Sequence, residues 1–387
     1  MNLKSKSGFA CLAVLICLST VAFAQQPAAP PPAADQPRPA QKPEPANPVL
    51  SVRPPPMAAR PPSAVTPEGR IKLDVVVTDA EGKPVAGLEP WDFKLLDNGQ
   101  PRRILSFRGY HDIVRPDPPV EVILLIDIVN LPFQQVAFVR QEVEQFLREN
   151  GGHLRQPVSL ILLSDAGIRV QPRPSVDGKA QAQVVSQIQG SIRTIDSAMG
   201  GEGYLERFQL CVRQLTAIAE NEAKKPGRKL LIWVGPGWPM LNRAQDAYSE
   251  KDQRRFFDSI AELTNRLRDA RIALYSVSPV TGVPAYSIVY QDFLKGVRSA
   301  RQADAGNLAL KVLVTESGGE IMGPDNDLTG QIDRCVAGAN VFYRLSFNPP
   351  SAEHADEYHD LKLLVDKPGL TVRTNTGYYN EPPGQQE

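Results

Sequence analysis

The chain has 387 residues, which at roughly 150 residues per domain leaves room for two or three domains and a sizeable core. Its 43 basic and 43 acidic side chains cancel and form no long block of one sign, which argues against a nucleic-acid footprint or polybasic membrane attachment. Thirty-six prolines are about twice the usual share, and their concentration near the start excludes a folded domain there.

Lys4 and Lys6 precede an apolar run from Phe9 to Val21, and Ala22-Phe23-Ala24 forms an A-x-A site before Gln25. This is the pattern of a cleaved secretory signal over residues 1–24, and the run is shorter than the roughly 20 residues a bilayer span needs. An exported protein is expected, placed in the periplasm, at the cell surface or secreted. The mature chain keeps two cysteines, Cys211 and Cys335. In a domain this large they read as buried small hydrophobes or as one bridge, not as a disulfide scaffold. Residues 25–68 follow, with fifteen prolines and nine alanines between Gln25 and Pro67. That composition predicts a disordered, extended spacer, because it cannot bury enough apolar surface to offset chain entropy.

Ile71, Leu73, Val75 and Val77 alternate with polar residues as in a half-buried strand. Phe93–Leu96 and Ile104–Phe107 flank Asp97-Asn98-Gly99, a hairpin signal because Asn and Gly tolerate positive φ. Alternation returns near the end in Val341/Tyr343/Leu345/Phe347, Leu361/Leu363/Val365 and Leu370/Val372. Each set alone is too small to be stable, so residues 69–117 and 341–380 are expected to pair into one small β-sandwich, followed by a disordered tail at 381–387.

The intervening 118–340 alternates strand and helix signals. Val122–Ile126, Val158–Leu163, Leu230–Val234 and Ile272–Val277 are apolar runs expected of strands covered on both faces. Gly167–Arg173 reads as a short return strand. Phe133, Val136, Val139, Val143 and Phe146 recur at helical spacing, with Asn130 as a candidate cap. So do Val184 through Ile195, Leu205 through Ile218, Phe256 through Leu267, Leu308–Glu316 and Leu328–Ala339. Residues 280–307 carry no clear pattern. The expected class is α/β, with a mostly parallel sheet and helices on both faces inserted into the sandwich.

A buried strand ending in Asp127, followed by Asn130 and then by strand, return strand and helices, resembles the von Willebrand factor type A (VWA) domain, which is Rossmann-like. More specifically, Ile71 to Tyr379 resembles the acidobacterial VWFA-related family. The resemblance rests on Val75-Val76-Val77-Thr78-Asp79 with Gly82-Lys83-Pro84-Val85, Leu88 through Phe93, Asp97-Asn98-Gly99-Gln100, Thr315-Glu316-Ser317-Gly318-Gly319 and Gly377-Tyr378-Tyr379. It covers about four fifths of the chain and implies an exported VWA-like domain of a class that binds other proteins. Metal-binding VWA domains cradle a divalent cation with D-x-S-x-S, a Thr and a later Asp, because hard cations take oxygen ligands. Here Asp127-Ile128-Val129-Asn130-Leu131 replaces both serines, the Thr position falls near Tyr204, and Gly235-Pro236-Gly237 stands where the second Asp belongs. The site is therefore expected to be degenerate, with no metal and no cofactor. Were a cation to bind, Asp127, Asn130 and Glu202 would be its ligands. The more ordinary role for Asp127 is to hydrogen-bond loop amides or cap the next helix.

No catalytic constellation is visible. His111, His153, His354 and His359 lie in predicted loops or at element ends, and no G-x-S-x-G elbow or phosphate loop occurs. His354 and His359, among Glu353, Asp356, Glu357 and Asp360, read as a solvated loop. The expected function is non-enzymatic binding of a protein partner through the face at the carboxyl ends of the strands. Trp238, Tyr204, Asn130 and Asp165 are its candidate contact residues, with Trp238 alternatively covering its own core. No nucleic acid and no membrane span in the mature chain are expected. A cation-dependent adhesin or sensor with its ion at Asp127 is the alternative reading, and an exported hydrolase a third.

Overall fold

The computed structural model describes residues 70–382 except 112–113, 115, 172, 189–200, 239–247, 280–289 and 324, and the backbone but not the side chains of 201–202. The expected export signal and spacer, and residues 383–387 of the expected 381–387 tail, lie outside the described residues. All described residues fall within one compact unit.

Among them, seven strands form the central sheet: β5 (Glu121–Asp127), β6 (His153–Ser164), β7 (Gly167–Val170), β8 (Ser175–Asp177), β9 (Lys229–Val234), β10 (Ile272–Val277) and β11 (Glu320–Ile321). The order is β11-β10-β9-β5-β6-β7, with β8 also paired to β6. The β11-β10-β9-β5-β6 run is parallel, with Val122 opposite both Leu230 and Val158, and β7 and β8 return antiparallel. Every residue of β9 and β10 is buried, as strands covered on both faces require.

Helices α1 (Phe133–Arg148), α2 (Gly178–Ser186) and α6 (Leu328–Ala337) share one core with Val122, Leu124, Leu230 and Ile232. On the opposite face, α3 (Gly201–Ala223), α4 (Glu250–Asp269) and α5 (Leu310–Glu316) pack with Ile123, Leu125, Leu231 and Trp233. Sequence explains the helix ends. Ser249 caps α4 by accepting from the Asp252 N–H at 3.2 Å, while Arg266 and Arg268 sit in its last turn beside the negative end of the helix dipole. The described part of the unpatterned stretch holds three short 3-10 turns, Tyr290–Phe293, Ala300–Gln302 and Ala305–Leu308, the last fixed by a reciprocal Asp304–Asn307 cap.

Two antiparallel four-stranded sheets complete the fold. One orders β14 (Thr371–Arg373), β1 (Ile71–Thr78), β12 (Phe342–Phe347) and β4 (Ser106–Tyr110); the other orders β15 (Gly377–Asn380), β13 (Glu357–Val365), β2 (Phe93–Asp97) and β3 (Gln100–Arg102). Leu73 and Val75 of β1, Leu95 of β2, Leu345 of β12 and Leu363 of β13 meet in one core, so strands from both ends of the chain make a sandwich. The hairpin turn has positive φ at Asn98 and Gly99, but its second arm is β3, not Ile104–Phe107. The chain crosses after Arg102 so that Phe107 pairs with Leu345 in the other sheet.

Three expectations are corrected here. Asn130 does not cap α1, since Pro132 occupies that position. Phe133 is 58% exposed, not part of the helix's core stripe. His359 does not lie in a solvated loop: it is buried on β13, its Nδ1 is 2.8 Å from Asp97 Oδ1, and its ring stacks on Tyr378 at 4.8 Å. The Tyr378 hydroxyl donates to the other Asp97 oxygen at 2.7 Å. His354 is exposed.

Candidate functional site

Asp127 ends β5 at the carboxyl edge of the parallel strands and is fully buried. The Asn130 amide N–H donates to its Oδ1 at 3.0 Å, and Asn130 Nδ2 donates to its Oδ2 at 2.8 Å. Trp233 Nε1, reaching across from β9, donates to the same Oδ2 at 2.9 Å. Asn130 Nδ2 also contacts Cys211 Sγ at 3.3 Å, and Asn130 Oδ1 is buried without a partner among the described residues. Burial pushes the Asp127 pKa up, while the Asn130 and Trp233 donors oppose the shift. Gly235 makes the close approach possible: its φ is +149°, and a Cβ there would lie 3.0 Å from Asp127 Cβ.

These residues do not fit a divalent cation. Mg²⁺ needs a near-octahedral oxygen shell, yet the carboxylate is surrounded by N–H donors whose positive ends repel a cation. Asn130 turns its Nδ2 to Asp127 and leaves only its Oδ1 as an available oxygen, far short of a six-oxygen shell, and the side chain of Glu202 lies outside the described residues. Among the described residues, no three His, Cys, Asp or Glu side chains converge as a metal site. Cys211 is equally far from nucleophilic chemistry, because burial first, and then the Asp127 charge, push its pKa well up. Cys211 and Cys335 are both buried free thiols.

Trp238 is corrected as a contact residue. It is 5% exposed, its Nε1 donates to Leu308 O at 3.1 Å, and its ring meets Trp233 edge-on at 5.1 Å. Gly237 allows this, because a Cβ there would come within 2.7 Å of Leu310. Asn130, 8% exposed, is likewise withdrawn from the surface. Tyr204, half-buried at the start of α3 with the Arg207 guanidinium 5.0 Å from its ring centre, and Asp165, half-buried in the turn after β6, remain at the strand-end pole. Sequence reading missed two residues. Trp233 looked like one more apolar residue in a buried run, and Phe133 like helix core, yet Phe133 is the exposed aromatic that opens α1 just after the Asp127 loop.

At the opposite pole a 380 Å³ cleft is lined by Glu149, His153, Gln156 and Asp333. The hydrogen bond that protonated Glu149 donates to the Asp333 carboxylate, then burial, push the Glu149 pKa up to about 7.

No family model and no curated protein matches this chain. Human COPII-coat protein Sec24c is similar at TM-score 0.32 and 10% identity, over 69% of this chain and 44% of that one. The pilus adhesin SpaC from Lactobacillus rhamnosus GG is similar at TM-score 0.32 and 9% identity, over 77% of this chain and 43% of that one. This chain thus spans less than half the length of either. Among the described residues no helix is long and apolar enough to cross a membrane.

Proposed function

We propose that this chain is an exported, non-enzymatic VWA-like protein of the acidobacterial VWFA-related kind that binds another protein through the carboxyl-end face of its parallel strands, without a cation. The observation that carries the reading is the capture of both Asp127 oxygens by Asn130 and Trp233. Internal N–H donors take the place of a cation's charge, so contact at this pole rests on shape and apolar area. Phe133, with Tyr204 and Asp165 at the same pole, supplies the exposed surface in place of the buried Trp238.

The test is a photo-crosslinking amino acid placed singly at Phe133, at Tyr204 and, as control, at exposed Asn150 in the opposite cleft. In the native cells, one adduct of defined mass at 133 and 204, absent at 150 and unaffected by chelator, is the expected result. Labelling that occurs only at 150, or disappears with chelator, contradicts the reading.

A further inference from the structure

A second feature lies at the seam between the β14-β1-β12-β4 sheet and the α/β body. A cavity of about 20 Å³ is lined there by Lys72, Asp74, Arg228, Arg268, Arg271 and Asn375. Four of the ten residues around it are cationic, and the one carboxylate is already engaged. Arg271 grips Asp74 through Nε at 3.0 Å and Nη2 at 2.8 Å, and Arg344 approaches it at 3.4 Å.

Arg228 is 3% exposed and forms no ion pair with a described residue. Its Nη1 donates to Ala339 O at 3.0 Å and its guanidinium lies 4.8 Å from the Phe342 ring centre, but its Nε is buried with no partner among the described residues. Arg268 spends Nε and Nη2 on Asp269, and its Nη1 is also buried, with no partner among the described residues. Asn375, 8% exposed, makes no side-chain hydrogen bond to a described residue.

Buried charges are found paired or with an ion, and an unsatisfied buried donor calls for water or an ion. Water would satisfy the N–H groups and leave the charge. A monatomic anion does both, and the cavity has room for about one water-sized sphere, too little to enclose a tetrahedral oxyanion. We propose that this cavity binds a single chloride ion, held by Arg228 Nε, Arg268 Nη1 and the Asn375 amide, and that the ion ties the sandwich to the α/β body.

The test is thermal unfolding of the full chain while chloride replaces gluconate at constant ionic strength, together with anomalous diffraction from crystals grown in bromide. A midpoint that rises along a single-site isotherm, and a bromide peak in the cavity, are expected. Arg268→Gln, whose side chain is partly at the surface, should fold and lose the chloride response; Arg228→Met should lose it as well, and if that variant does not fold, Arg268→Gln still decides. Equal midpoints in the two salts, a response retained in Arg268→Gln, or a cavity holding water and no bromide would overturn the assignment.

Discussion

Trp233 and Asp127 form a contact that defines the strand-end pole, and its worth can be measured. Trp233→Phe keeps most of the buried ring and removes one donor to a carboxylate, a bond worth about 2 kcal/mol. Asp127→Ala strands the Asn130 and Trp233 donors together and should cost about 3 kcal/mol or more. Urea midpoints of the two variants against wild type check the ranking, and a neutral Asp127→Ala would mean that the donors find other partners. The Asp127 carboxylate was legible in the sequence because it ends an apolar run. Its partner was not, because an indole in such a run counts as apolar while its N–H, invisible to periodicity, points at the acid. Of the two roles the sequence offered Trp238, its burial and its bond to Leu308 O show the one that covers the core.

At the scale of elements, Glu149 is the C-cap of α1 and Asp333 lies on α6, so a proton shared by their carboxyl groups would join two helices at the cleft. The bond needs a proton. Glu149 is raised from 4.5 to about 7 in the folded chain, so its stabilising contribution is full below its unfolded pKa and is lost as pH rises through about 7. Wild type should lose stability between pH 5 and 8 relative to Glu149→Gln, which donates without titrating. Urea midpoints at the two pH values decide it, and parallel profiles would contradict the shared proton. Elements themselves were read well wherever one face or both were apolar: Val122–Ile126, Leu230–Val234 and the Phe256–Leu267 stripe all stand as expected. Reading failed where partners are distant in sequence. Ile104–Phe107 looked like the return arm of a hairpin, and the β4 pairing with β12, more than two hundred residues away, cannot be seen locally. His359 sat among acids that suggested solvent, whereas the β13 register against β2 and β15 turns it inward toward Asp97.

For the molecule as described, the segments 71–110 and 342–380 build one sandwich and the residues between them build a mostly parallel sheet, so the strand-end pole and the sandwich seam are separate places with separate chemistry. At the seam, basic side chains converge around too few acids. At the pole, one acid is held by N–H donors, and the central claim is that Trp233 and Asn130 occupy this acid so that no divalent cation binds it. Thermal unfolding of the full chain with Mg²⁺, Mn²⁺, Ca²⁺ or chelator, in wild type and Asp127→Ala, tests it most directly. A ligand bound only by the native state would add about 2.7 kcal/mol at a hundred times its dissociation constant. The account predicts the same midpoint with every ion and with chelator. An ion that stabilises wild type and loses its effect in Asp127→Ala would contradict it.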